Sequence, residues 1–437
     1  MTKVWILLLI QLAIIPGLVL LLRKLKLLNF ASLLILSIYC ITLPISGIAH
    51  FLTEATPFRG YFDLLPYSQT WLPFETALLS LIVEICMVIG ILLSSRVIDS
   101  KQGLRVSNFR LNRLQVIILI SVLPLSVYAL TNISQFLERN NINRVLFLQG
   151  GLARYYFVAI WMIWPLVVFS LYLLNSNRVR ENSARQLVLL CLTGTLFFSS
   201  LSWTGSRLLP LMFFTLLILN APRLSKETRR IIGLSAPIAL GIYIYTTTLS
   251  RVGNFGYGKS SFSVGGFLDW QVGRFSILGA TLKYNSDEGI LQESTLAGSF
   301  AESVSGVARL LGITVFDDNG SYLSVSQQFG VVVFSDSNNR YLAPGLIIEM
   351  FRNFGLVGLV IFCLTVPVIC NWLYTKSRIR RNTLSGLLFG YFTIAFVFVV
   401  FLSSSESLIA YFFYFPTPII ILILLNNAEQ RRSIGNE

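Results

Sequence analysis

Long apolar runs separated by short polar stretches set the pattern of this chain. Eleven segments carry about twenty apolar residues each or come close to it: 4–22, 30–50, 74–95, 114–131, 155–175, 187–203, 207–220, 231–250, 353–374, 383–402 and 408–425. A helix rises about 1.5 Å per residue, so about twenty residues match the ~30 Å hydrocarbon layer of a bilayer. Lipid offers the backbone no hydrogen-bond partner, and a helix satisfies its own peptide groups. The pattern therefore predicts an all-α polytopic membrane protein of about eleven spans. Segment 207–220 is the shortest and opens on Arg207. Segment 4–22 is followed by Arg23, Lys24 and Lys26 rather than by a small-residue cleavage site, so it reads as a first span and not as a signal peptide.

Composition agrees with the pattern. Charged residues make up 12% of the 437, about half the share of a soluble domain, and hydrophobic residues 54%. This excludes a disordered chain, a coiled coil and a water-soluble enzyme. The net charge of +14 would suggest nucleic acid in a soluble protein. Here its distribution decides otherwise. Numbering the connections after each span, the odd ones and the C-terminal tail hold 21 of the 34 basic residues and net +16, while the even side nets −2. By the positive-inside rule the odd connections face the cytoplasm. The N-terminus is then external (periplasmic), the C-terminus cytoplasmic, and nucleic acid is not a partner. The five cysteines, Cys40, Cys86, Cys191, Cys363 and Cys370, all fall inside spans, where small apolar packing is their expected role.

One connection differs from the rest. Residues 1–250 hold eight spans and 346–437 hold three spans and the tail. Between them, 251–345 form an external loop of nearly a hundred residues, a length that usually marks function. Two stretches in it have helical periodicity. In 267–284, Leu268, Val272, Phe275 and Leu282 share a face, and in 295–311, Leu296, Phe300, Val304, Val307 and Leu311 recur. Such amphipathic helices suit a place on the membrane surface or over the bundle.

Candidate chemistry collects on the external side. No P-loop, HExxH or Cys/His cluster occurs, so neither ATP hydrolysis nor zinc chemistry is supported. The single histidine, His50, ends the second span and is the one imidazole available as a base; a structural role is the commoner fate of such a residue. Arg207, Arg251, Arg274, Arg340 and Arg352 lie at membrane boundaries or in the loop, with Glu349 between the last two. Ionisable groups at hydrocarbon depth need a partner or a use. Arginine's planar fork binds two phosphate oxygens at once, so these residues suit a lipid-linked pyrophosphate. For any one of them, snorkelling to headgroups or pairing with Glu349 is the simpler role. Glu84, midway along the third span, is either a proton relay or ion site, or a protonated carboxyl bonded to a neighbouring helix.

Four features together resemble the bacterial Wzy-type O-antigen and oligosaccharide repeat-unit polymerases. They are the overall form with its large loop before the last three spans, Trp203-Thr204-Gly205-Ser206-Arg207, Ser250-Arg251 at the loop's start, and the stretch from Ala343 to Gly358 with its Glu349, Asn353-Phe354-Gly355 and second glycine. The resemblance covers about a quarter of the chain. It implies a GT-C-like, metal-independent glycosyltransferase of the bacterial inner membrane, without cofactor. Its substrates would be undecaprenyl-pyrophosphate-linked oligosaccharides, and a chain-length-regulating co-polymerase is a further partner that the family admits. It implies Arg207, Arg251, Arg274, Arg340 and Arg352 for substrate phosphate, Glu349 as base or as orienter of an arginine, and His50 as a reserve base. An O-antigen ligase is the first alternative, although a ligase is expected to carry a histidine in the large loop and none lies between 251 and 345. A transporter is the second, supported mainly by Glu84 and opposed by the lack of a two-fold repeat.

The orientation is testable by labelling. In a background freed of native cysteines, a cysteine placed at position 260 is expected to react with an impermeant maleimide from the external side alone; labelling only from the cytoplasmic side overturns the assignment.

Overall fold

A computed structural model describes residues 2–53, 72–94, 208–220, 225–235, 273–289, 343–380 and 384–409, with a few single positions elsewhere. Among the described residues the chain is helical throughout and contains no strand. Five helices among the described residues are long and apolar enough to cross a membrane: Thr2–Lys24, Phe30–Leu52, Pro73–Ser94, Leu346–Ile379 and Ser385–Leu402. They coincide with the first, second, third, ninth and tenth expected spans. The expected spans 114–131, 155–175 and 187–203 lie outside the described residues. So do the amphipathic stretch 295–311, most of 231–250, a part of 408–425, and Cys191.

The helices are α1 (Thr2–Lys24), α2 (Phe30–Cys40), α3 (Ser46–Thr53), α4 (Pro73–Ser94), α5 (Leu208–Asn220), α6 (Phe275–Glu288), α7 (Leu346–Ile379), α8 (Leu384–Leu402) and α9 (Ser405–Ile409). A π-helical turn, Ile41–Ile45, joins α2 to α3 within one span. Pro44 explains the turn, because it lacks an N–H and cannot continue the regular ladder. The hydroxyls of Thr42 and Ser46 bond back to the carbonyls of Ile38 and Thr42 at 2.8 and 2.6 Å. Segment 207–220 is helical as α5 over Leu208–Asn220, and the residues on either side of it lie outside the described ones.

The chain forms two compact units. One comprises Met1–Lys101, Lys259–Thr375 and Ala395–Ala410, and the other Gln102–Gly258, Lys376–Ile394 and Tyr411–Glu437. In the second, the Tyr391 hydroxyl donates to the carbonyl of Tyr411 at 2.9 Å, and Phe392 stacks on Phe412. The first unit holds the candidate residues. At one end of it, Asn371 of α7 accepts from Asn29 at 2.8 Å and donates to Ser94 at the end of α4 at 2.6 Å. Leu22, Leu36 and Ile91 pack together toward this end. At the other end, Val4, Leu8, Phe51, Ala77 and Phe275 form a second apolar cluster. The contacts thus collect the ends of α1, α4 and α7 that precede basic connections at one pole, and α6 at the opposite one.

Two expected boundaries shift. The ninth span was expected from 353, yet the helix starts at Leu346. Thirty-four straight helical residues would measure about 51 Å, far more than the bilayer core. Gly355 resolves the mismatch with non-helical backbone (φ 62°, ψ −155°), which divides α7 into a short, buried N-terminal piece and a long spanning piece. Of the amphipathic helix expected over 267–284, residues 267–272 lie outside the described residues, and 275–284 form most of the observed α6. Its first half is buried, with Phe275, Leu278 and Thr281 at 0% exposure, so it is inserted among α3, α4 and the π turn and does not lie on a surface. Only its last turn reaches out, where Lys283 and Asp287 pair at 2.9 Å.

Small residues set the closest crossing. A Cβ on Gly90 would stand 2.5 Å from the Leu364 carbonyl oxygen and 2.9 Å from Pro367 Cγ. Gly90→Ala is therefore expected to cost about 1–3 kcal/mol and to lower the melting temperature in detergent. Gly17→Ala on α1, where a Cβ meets nothing within 4 Å, serves as the control and should leave it unchanged or slightly raised. Equal melting of both variants contradicts the crossing.

Candidate functional site

Arg274 caps the start of α6. Its backbone N–H donates to the Thr42 carbonyl at 2.8 Å, which the π turn beside Pro44 leaves accessible. Its Nη1 donates to Gly273 O at 2.7 Å and its Nη2 to Leu402 O, at the end of α8, at 2.8 Å. Nε meets no acceptor. The side chain is 8% exposed, and burial pulls its pKa down to about 10. At neutral pH it still carries its charge. Among the described residues no carboxylate accepts a hydrogen bond from it, and no acid offsets the burial.

Glu349 reaches the same segment from the other side. It lies on the short first piece of α7, fully buried. Its Oε2 accepts from the Ser405 N–H at 2.9 Å and its Oε1 from the Ser405 hydroxyl at 2.5 Å. The carboxylate therefore takes up donors at the first turn of α9, where backbone N–H groups have no helical partner. Gly345 allows the approach. It has φ 90°, and a Cβ there would be 2.6 Å from Phe401 O. Arg274 and Glu349 thus hold Leu402 and Ser405, the two edges of the break between α8 and α9. Ser403 and Ser404, between them, are buried as well.

Arg352 braces the far end of α6. Its Nη1 donates to Asn285 Oδ1 at 2.6 Å and to Gly289 O at 2.7 Å, and its guanidinium stands 4.6 Å from the centre of the Tyr284 ring. A cation on the last carbonyls of a helix is favourable for both bonding and dipole reasons. Asn353 donates to the Glu349 carbonyl at 2.9 Å. His50 is 5% exposed and packs edge-on against Phe51, which in turn contacts Phe275, the residue after Arg274.

The structure therefore joins Arg274 and Glu349 around residues 402–405. Arg352 is engaged in holding α6, and His50 is linked to the junction through two aromatic rings. Arg207, Arg251 and Arg340 lie outside the described residues. The serines 403–405 were not among the expected site residues. Their signal was a polar interruption, Ser403-Ser404-Ser405-Glu406, between two apolar segments. No protein family, curated protein or solved structure matches this chain.

The Glu349–Ser405 junction has a direct test. Glu349→Ala removes the acceptor of two buried Ser405 bonds, at about 1–3 kcal/mol each. It should lower the melting temperature clearly more than Glu349→Gln, whose amide oxygen still accepts one bond. Indistinguishable melting for the two variants would remove the junction.

Proposed function

We propose that this chain is a membrane-embedded glycosyltransferase that polymerises undecaprenyl-pyrophosphate-linked oligosaccharide repeat units at the external face of a bacterial inner membrane. One observation carries the reading: among the described residues Arg274 is a buried guanidinium without a carboxylate partner, and its Nε makes no hydrogen bond. A buried charge of this kind is costly unless something compensates it. A pyrophosphate at the mouth of the bundle supplies the missing negative charge. The resemblance of 343–358 to repeat-unit polymerases and the basic odd connections support the same reading.

In this reaction a hydroxyl of the incoming unit attacks the anomeric carbon of the growing glycan. The bond from that carbon to the lipid pyrophosphate breaks, and the pyrophosphate leaves with the electron pair. Arg274 stabilises the charge that develops on it, electrostatic work that a fixed buried cation does without reorganisation. Arg207, Arg251 and Arg340 are proposed as further phosphate contacts. Glu349, with both oxygens on Ser405, fits a positioning role for residues 402–405. His50 is the proposed acceptor of the hydroxyl proton.

Deleting the gene should collapse the surface-polysaccharide ladder to a single repeat unit. A full ladder after deletion ends the proposal, and loss of every repeat from the core points to ligation instead. In a complemented strain Arg274→Gln should reduce chain extension about a hundredfold or more at equal membrane abundance, while Arg274→Lys keeps part of it.

A further inference from the structure

Three helices bring polar side chains to one level midway along their spans: Gln11 on α1, Tyr39 on α2, and Ser80 and Glu84 on α4. None is more than 2% exposed. The Tyr39 hydroxyl stands at the centre, 3.0 Å from Ser80 O, 3.2 Å from Gln11 Oε1, 3.3 Å from Ser80 Oγ and 3.4 Å from Glu84 Oε2. Ser80 Oγ donates to Gln11 Oε1 at 3.0 Å, and Gln11 Nε2 donates to Ala77 O at 2.8 Å. Glu84 Oε1 has no partner.

Counting hydrogens separates two states. The Ser80 hydrogen is committed to Gln11, so the Tyr39 hydrogen is the one left for Ser80 O and the carboxyl. If Glu84 is ionised, Tyr39 must turn toward it, and a bare negative oxygen remains in the bundle interior with no cation beside it. Among the described residues, the ionisable groups that interact with it are Tyr39 and Cys40 on α2, while α1 presents the neutral Gln11. If Glu84 holds a proton, it donates to Tyr39 and Tyr39 donates to Ser80 O. Every hydroxyl then gives one bond and the site is neutral. A metal cation would need an open centre among these oxygens, and the Tyr39 hydroxyl already fills it.

We propose that Glu84, with Tyr39, Ser80 and Gln11, is a proton-binding site in the middle of the membrane, and that the bound proton exchanges with water. Loss of the proton to water reverses the Tyr39 hydrogen bond, so one proton alters contacts among three helices. This site is separate from Arg274 and does not depend on the transferase reading.

Infrared difference spectroscopy on the full chain in lipid nanodiscs tests it. The C=O stretch of a protonated carboxyl is expected in the wild type, at lower frequency in D2O, shifted by Tyr39→Phe and absent in Glu84→Gln. Identical wild-type and Glu84→Gln spectra overturn the proposal. So does a band that never responds to D2O, or one abolished when sodium replaces potassium at fixed pH, which would make the site a sodium site. Tyr39→Phe keeps the test valid should Glu84→Gln fail to fold.

Discussion

A polar atom inside a hydrocarbon layer has no water to turn to, and the rest of this fold follows from that constraint. Several inward-facing polar side chains in the first unit fasten segments distant in sequence, while others, such as Thr42 and Thr281, bond back within their own helical segment. Asn371 ties α7 to α4 and to the start of α2. Gln11 ties α1 to α4 and α2. Glu349 ties α7 to α9, and Arg274 ties α6 to α8 and to the π turn. Apolar packing between helices has no water to exclude here, so such bonds and close small-residue contacts like Gly90 against Leu364 fix which helices are neighbours. Individually they are worth only about 0.6 kcal/mol on average. Their value lies in register, since each has a single geometry that satisfies it.

Among the described residues three buried side-chain atoms make no hydrogen bond: Arg352 Nε, on a guanidinium otherwise held by Asn285, Gly289 and the Tyr284 ring, and Glu84 Oε1 and Arg274 Nε. The last two, one acidic and one basic, stand outside this accounting. They lie at different depths, one midway along α4 and the other at the start of α6. Under the two proposals made above, a proton serves the first position and an anionic headgroup the second.

The spans were legible because hydropathy over about twenty residues reads directly as the requirement to cross lipid. The start of α7 was not. Residues 346–351 are as apolar as a span, and only the backbone at Gly355 separates a buried cap from the crossing piece. The insertion of α6 was also hidden, because periodicity reports a face and not what covers it. Arg274 and Glu349 stood out as charges at a membrane boundary. Thr42, Leu402 and Ser405 did not, because they act largely through backbone groups and one hydroxyl, which no side-chain pattern marks. The role of Arg352 was legible only as a charge seeking a partner, and the partner is the end of a helix nearly seventy residues upstream.

The position of Gln11 bears on how the protein is made. α1 presents Ile6, Leu9, Ile10, Leu20 and Leu21 outward and turns little besides Val4, Leu8, Gln11 and Leu22 inward. The groups that satisfy Gln11 sit on α2 and α4, which the ribosome delivers later. The newborn first helix must therefore wait in the lipid, or beside the insertion machinery, with an unmet amide. That amide is met once Ala77 and Ser80 have arrived beside it.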